Sequence, residues 1–378
     1  MGRAVRAAAA AVLTLGLAGC GGSPSGPTDP TATVIVVVFY DENANGLLDG
    51  GEVVRIPGVT VLLAGDSAVT AASTGQAGFT DIPAGFHQVA IESQTLPPFY
   101  VLVMPAVTVT VTQAAAEVHF PVTLPIGGNR PNTYMAFGDS ITDGAGHTDG
   151  LAYRGMLQSL LQDHFGRAEV INQGAGSTTS QEGAETIAAA LAAVRPAYTL
   201  IHLGTNDFNK SGCRRIQTLD ECFTVPSLRT IVRETRAVGS LPCLATIIPC
   251  NTGFNDRAPP QRNEWVHLQD ERIRILAQEE GALLVDLEPL FLQAGPLDTL
   301  FEDHVHPNER GFELMAEGLF EAIAHGETPA AFAPAESGLG FGLWDPPGAR
   351  PGLHGWSSRE RGTGFPKRGP SFPPRRGL

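Results

Sequence analysis

The sequence predicts a small all-β sandwich followed by an α/β domain built on a parallel sheet, and three patterns point there. Short runs rich in Val, Ile, Phe and Thr, separated by Gly, Pro, Ser and Asp, fill residues 32–124 with no helical periodicity between them. From residue 132 apolar runs of strand length alternate with helix-length segments, the order that yields a parallel sheet covered on both faces. The final segment carries Phe312, Met315, Ala316, Leu319, Phe320 and Ile323 at the spacing of one helix face, with Asn308 placed to cap it.

The chain of 378 residues opens with Arg3 and Arg6, an Ala/Val/Leu stretch through Leu17, and then Leu17-Ala18-Gly19-Cys20. This is the pattern of an export signal over residues 1–19, its apolar run too short for a span of about 20 residues. Leu-Ala-Gly-Cys resembles a bacterial lipobox, which implies lipidation of Cys20 and a lipid-anchored protein of the bacterial cell envelope, at the outer membrane or cell surface and facing periplasm or exterior. Residues 20–31 (CGGSPSGPTDPT) then read as a tether.

The β-rich part, residues 32–124, starts with the run ATVIVVVFY and continues with strand candidates at Gly58–Leu63, His87–Ile91, Tyr100–Met104, Val107–Val111 and Val118–Val122. Directly after the first run, Asp41, Asn43, Asn45, Gly46 and Glu52 fit the spacing D-x-[DN]-x-[DN]-G-x5-E. Leu47 is placed to offer a carbonyl and Asp49 to act directly or through water. A helix does not precede this loop, so an EF-hand is excluded. The segment resembles the calcium-binding B-type repeats of bacterial surface proteins, which implies a structural Ca²⁺ held by Asp41, Asn43, Asn45, Leu47, Asp49 and Glu52. The alternative is an Asn/Gly turn between strands.

Residues 125–131 (PIGGNRP) read as a linker. Beyond it, strand candidates lie at Thr133–Phe137, Glu169–Asn172, Tyr198–Leu203, Pro242–Ile248 and Leu283–Asp286, with helix candidates at Ala152–Asp163, Glu182–Ala193, Val225–Val238 and Arg262–Glu280. Four segments fall where an open α/β sheet places its ligands, mostly just past strand C-termini. They are Gly138-Asp139-Ser140-Ile141-Thr142, the loop Asn172–Thr179, Gly204-Thr205-Asn206-Asp207, and Asp303-His304-Val305-His306-Pro307 ahead of the last helix.

A serine hydroxyl becomes a useful nucleophile only when a base takes its proton, and His306 is the candidate base for Ser140. Asp303, three residues earlier on a helical-type turn, can hold one imidazole N–H. Negative charge developing on a carbonyl oxygen calls for converging donors, which the Asn206 amide and main-chain N–H groups can supply. A metal cluster of Asp303, His304 and His306 is the rival arrangement. The sequence contains no G-x-S-x-G elbow, against an ordinary α/β-hydrolase.

In these four blocks, taken in order, the chain resembles the SGNH (GDSL-type) esterase/lipase family over roughly residues 132–325. The resemblance implies a three-layer, flavodoxin-like fold and a serine esterase needing no cofactor for catalysis. It assigns Ser140 as nucleophile, His306 as base and Asp303 as its partner, with an oxyanion hole from Ser140, Asn206 and the second block. Family members place Gly at the second-block position, where a gapless alignment from Asn172 puts Ser177; Gly176 lies one residue earlier. His147, Asp143 and Asp149 read as loop residues beside the serine.

In an exported chain, the even set Cys213, Cys222, Cys243 and Cys250 predicts disulfides, with Cys213–Cys222 and Cys243–Cys250 the shortest loops. Residues 326–378, rich in Gly, Pro and Arg, read as a disordered basic tail. The net charge is −14; setting aside +2 from Arg3 and Arg6 and +5 from residues 345–378 leaves −21 for residues 20–344. Such a body disfavours nucleic acid and makes neutral esters better candidate substrates than polyanions. Small-molecule, glycan or lipid esters and the membrane reached by the anchor are the expected partners, and a monomer is expected. The rival from another class is an adhesion lipoprotein whose β-domain is the working part and whose hydrolase domain is inactive.

Overall fold

The computed structural model describes residues 30–145 and 152–326. The signal, Cys20 and the tether through residue 29, the positions His147 and Asp149, and the tail from residue 327 lie outside the described residues. The N-terminal part contains β1 (Thr31–Tyr40), β2 (Thr60–Leu63), β3 (Asp66–Val69), β4 (Gln76–Pro83), β5 (Gly85–Ile91), β6 (Val101–Leu102), β7 (Val107–Val111) and β8 (Ala116–Thr123). They form two four-stranded sheets, in the orders β4-β1-β8-β6 and β3-β2-β5-β7. Alternate residues of β1, Val34, Val36 and Val38, share one core with Val61, Leu63, Val89 and Val109 of the other sheet, as the two-residue repeat of a strand dictates. Two strands escape the sequence patterns. The segment β3 holds a single half-buried residue, and β4 interrupts its alternation with Gly78, Asp81 and Pro83, residues that otherwise mark turns.

From β9 (Arg130–Gly138) the chain runs through α1 (Ser140–Asp143), α2 (Ala152–Phe165), β10 (Glu169–Gly174), α3 (Ser180–Val194), β11 (Pro196–His202), α4 (Thr224–Ala237), β12 (Leu241–Ala245), α5 (Gln261–Glu280), β13 (Leu283–Val285), α6 (Leu287–Gln293) and α7 (Glu309–His325). The five strands make one parallel sheet, ordered β10-β9-β11-β12-β13. The central strands β11 and β12 are buried along their whole length, as covering on both faces requires. Successive side chains point to opposite faces. Met135, Phe137, Ile201 and Leu244 pack with Ile187, Ile231 and Trp265 from α3, α4 and α5. Tyr134, Ala136, Leu200, Cys243 and Ala245 pack with Leu157, Met315 and Leu319 from α2 and α7.

That second cluster is continuous with the core of the N-terminal sheets. Tyr134 and Tyr198 stack at 4.9 Å between centroids, Phe99 meets Tyr198 edge-on at 6.2 Å, and Tyr100 meets Tyr40 at 5.5 Å. Polar contacts add to the seam: Asn132 Nδ2 donates to Glu42 Oε1 at 2.7 Å and the Arg55 N–H to the Phe165 carbonyl at 3.2 Å. The N-terminal sheets and the parallel sheet therefore share one apolar interior.

Candidate active site

Ser140 is placed by the turn at the end of β9. The side chain of Asp139 accepts from Ile141 N–H at 2.9 Å and starts the single turn α1, which lifts Ser140 from the sheet. Gly138 is required here, because a Cβ would run into Thr142 and the His202 carbonyl. Gly174, at the start of the second block, likewise sits against the backbone of Asp139, Thr142 and Asp143.

His306 comes from the turn ahead of α7. Asp303 Oδ1 accepts from the N–H groups of Val305 (2.7 Å) and His306 (2.8 Å), and its Oδ2 lies 2.8 Å from His306 Nδ1. Asn308 then caps α7 through Gly311 N–H at 3.1 Å. With Nδ1 donating to the carboxylate, His306 Nε2 is left as an acceptor, and Ser140 Oγ lies 2.9 Å from it. Three residues separated by up to 166 positions thus form one hydrogen-bonded line. Desolvation pushes the Asp303 carboxyl up, but the bonds from the backbone and ring of His306 and from Val305 outweigh it and hold the group below its ordinary value. It is a carboxylate at neutral pH, able to stabilise an imidazolium.

The neighbouring carboxyl behaves in the opposite way. Burial pushes Asp139 up to about 7, offset in part by the Ile141 N–H and the charge of His306. Asp207 is also raised by burial, although Ser180 and Thr224 donate to it.

Asn206 lies in the turn after β11. Its Nδ2 donates to Thr178 O at 3.1 Å and to Asp139 Oδ2 at 3.3 Å, so its amide bridges the first and second blocks. Asp207 anchors the same turn: its carboxylate accepts from Ser180 N–H (2.9 Å), Ser180 Oγ–H (2.6 Å) and Thr224 Oγ–H (2.7 Å). In the second block the N–H of Ala175 goes to Gly138 O and that of Thr178 to Ala175 O. The N–H groups of Gly176 and Ser177 make no hydrogen bond among the described residues, and Ser177 adopts φ +63°. Both stay available to a ligand, as does the N–H of Ser140. Beside this loop a groove of about 680 Å³ runs past Gly138, Gly176, Ser177 and Thr178 and along the α3 face bearing Glu182, Thr186 and Ala193.

The sequence blocks did not single out Asp139, Asp207 or Thr178 as supports. Their signal is position alone, adjacent to Ser140 and Asn206 and at the end of the second block. His304 is partly buried, its side chain 16% exposed. Among the described residues no group of three or more His, Cys, Asp or Glu side chains is placed to hold a metal ion, which leaves the Asp303/His304/His306 metal arrangement without support.

The same holds for the Asp41–Glu52 loop, whose groups hydrogen-bond to one another. Asp41 accepts from Asn45 and Gly46 N–H, Glu52 from Glu42 and Asp49 N–H, and Asp49 from the Asn43 and Asn45 amides. Asp41 and Glu52 are buried carboxylates, and the set consists of hard oxygen donors of the kind calcium takes. The Leu47 side chain faces solvent, which leaves only its main chain to contribute.

Cys213 and Cys222 are joined in a disulfide. The expected Cys243–Cys250 bridge is absent: both thiols are free and buried. Cys243 lies within β12 in the core, whereas Cys250 lies beyond its end against Ala258 and Val305. A chain that runs on from a strand carries the second cysteine away from the first, whereas a disulfide needs Cα atoms about 4.4–6.8 Å apart.

Residues 136–314 match the model of the GDSL-like lipase/acylhydrolase family. Over 207 residues the chain is 26% identical to thioesterase 1/protease 1/lysophospholipase L1 of Escherichia coli, a match covering 54% of this chain and 89% of that protein. Among solved structures it is similar to an acetylxylan esterase from Geobacillus stearothermophilus, with TM-score 0.43 and 23% identity over 52% of this chain and 95% of that one. It is also similar to a member of the lipolytic G-D-S-L family from Veillonella parvula, with TM-score 0.41 and 20% identity over 50% of this chain and 97% of that one.

Proposed function

We propose that this chain, an ester-bond hydrolase, is a lipid-anchored envelope esterase of the GDSL/SGNH type working through an acyl-enzyme on Ser140. The observation that carries the mechanism is the line from Ser140 Oγ to His306 Nε2 (2.9 Å) and from His306 Nδ1 to Asp303 Oδ2 (2.8 Å). Ser140 Oγ attacks the ester carbonyl carbon as His306 Nε2 takes its proton. The C=O electron pair moves to oxygen, and the N–H groups of Ser140 and of Gly176 or Ser177 receive the charge, joined by the Asn206 amide as it gives up its long 3.3 Å bond to Asp139 Oδ2. Collapse expels the alcohol, which leaves with the proton from His306. Water then repeats the cycle: His306 removes its proton as the oxygen attacks the acyl carbon, and collapse releases the acid while His306 returns the proton to Ser140 Oγ.

The substrates that fit this reading are carbohydrate O-acetyl esters and short-chain or lysophospholipid esters. The Escherichia coli relative named as a thioesterase and lysophospholipase supports the second group. One arm of the ester would lie in the groove along α3, whose Ala189, Ala190 and Ala193 offer a smooth apolar wall without a charged anchor at that end. The lipobox-like Leu17-Ala18-Gly19-Cys20 supports anchoring, and the spacing of Asp41 through Glu52 supports calcium as a structural ion.

The test is a panel of acetylated sugars, p-nitrophenyl esters of rising chain length and lysophospholipids, given to the full chain and to Ser140→Ala. Turnover by the first and not the second is expected; equal rates would remove Ser140 from the mechanism. Calcium should raise the melting temperature over a chelator control, and an unchanged midpoint would remove the ion from the account.

A further inference from the structure

Arg262, the second residue of α5, is 1% exposed and carries one of the largest fully buried side chains among the described residues. Its guanidinium pairs with no carboxylate among the described residues. One terminal nitrogen donates to Thr205 O at 2.8 Å, the other to Arg257 O at 3.3 Å, and Nε is buried without a partner. The group lies over the Phe208 ring, 5.1 Å from its centroid. Burying a cation against carbonyls and a ring carries a desolvation cost that hydrophobic packing at the same place would not. So costly an arrangement calls for an explanation in the site it touches.

The carbonyl of Thr205 belongs to the planar peptide that ends in the Asn206 N–H. Holding that oxygen therefore fixes the plane from which the Asn206 side chain departs. On the far side of Asn206, Asp207 is fixed by Ser180 and Thr224. The next residue of α5 completes the link to the acid–base turn: Asn263 exchanges hydrogen bonds with Cys250 N–H (2.7 Å) and O (2.9 Å), and Asn251 N–H donates to His304 O at 3.0 Å. The first turn of α5 thus ties the Asn206 loop to the loop bearing Asp303 and His306.

We propose that Arg262 is a positioning residue for ester hydrolysis, acting through the Thr205–Asn206 peptide to aim the Asn206 amide at the developing oxyanion. This rests on the acyl-enzyme reading of the site above. A misaimed donor is felt in the transition state more than in substrate binding, so Arg262→Met in the full chain should lower kcat about 10- to 100-fold with KM within about threefold. Arg262→Lys, a cation without the planar fork, should recover only part of the loss.

The decisive readout is a double-mutant cycle with Asn206→Ala. If Arg262 acts through Asn206, the double variant is no slower than Asn206→Ala alone, within about twofold. Losses that multiply would overturn the proposal, leaving Arg262 a packing residue, as would wild-type kcat in folded Arg262→Met. Should Arg262→Met fail to fold, Arg262→Gln goes through the same cycle. Absence of turnover by the wild type, or turnover equal to it by Ser140→Ala, would instead overturn the acyl-enzyme reading.

Discussion

The two ends of the parallel sheet are held by different forces. At its C-terminal end, Ser140, His306 and Asn206 sit on short turns fixed by directional hydrogen bonds: Asp139 to Ile141 N–H, Asp303 to His306, Asp207 to Ser180. About four residues, or roughly 13 Å, back along β9 and β11, Tyr134 and Tyr198 face the same neighbours across the register but are held by stacked rings and apolar burial. The first arrangement sets angles; the second supplies area. Substitutions at the first end should therefore change rate with little change in stability, and substitutions at the second should do the reverse.

The sharpest separation comes from the nucleophile. Ser140→Ala should reduce kcat about 10⁴-fold or more while the melting temperature stays within a degree or two, read by ester turnover and thermal unfolding. Asp303→Asn keeps the shape of the turn but costs His306 its carboxylate, and a loss of about 10³- to 10⁴-fold in kcat is expected. Asn206→Ala removes one of several donors, so about 10²- to 10³-fold is expected, with KM nearly constant. At the other end, Tyr198→Ala should leave kcat per folded molecule unchanged while lowering stability by about 3–5 kcal/mol in denaturant titration, since a buried ring is lost from the shared core. A fall in kcat with no fall in stability for Tyr198→Ala would dissolve the contrast.

The smallest effect concerns pH. His202, at the end of β11, is buried with both ring nitrogens unpartnered, and desolvation lowers it to about 4. The unfolded chain binds the proton near 6.5, so below that pH protons favour unfolding. The stability that neutral His202 permits is present above 6.5 and is lost as pH falls toward 4. His202→Leu should flatten that part of the melting temperature profile, and an unchanged slope would assign the pH dependence elsewhere.

The same contrast explains what could be read from the chain. The directional end is written in residues of restricted type at fixed spacing: Gly138 because a Cβ does not fit, Asp303 and His306 because a three-residue turn brings carboxylate and ring together. The apolar end has no such spelling. Tyr134 and Tyr198 look like ordinary strand residues, and nothing local in Phe99 or Tyr100 says that a partner sheet lies beneath them. The strands β3 and β4 were hidden because their Gly, Asp and Pro residues mark turns when read locally, and pairing with β2 and β1 overrides that tendency. The unbridged Cys243 and Cys250 teach the same point: separation in sequence does not say that the strand carries them apart. Arg262, which touches a carbonyl with no recognisable signature, is legible only in three dimensions.

The central claim is that Ser140 carries the acyl group. Incubating the full chain with a fluorophosphonate probe and mapping the adduct by peptide mass spectrometry tests it most directly. The account predicts one adduct, on the peptide containing Ser140, formed far more slowly in the His306→Ala variant. An adduct on another residue, or ester turnover by a chain whose Ser140 stays unlabelled, would contradict it.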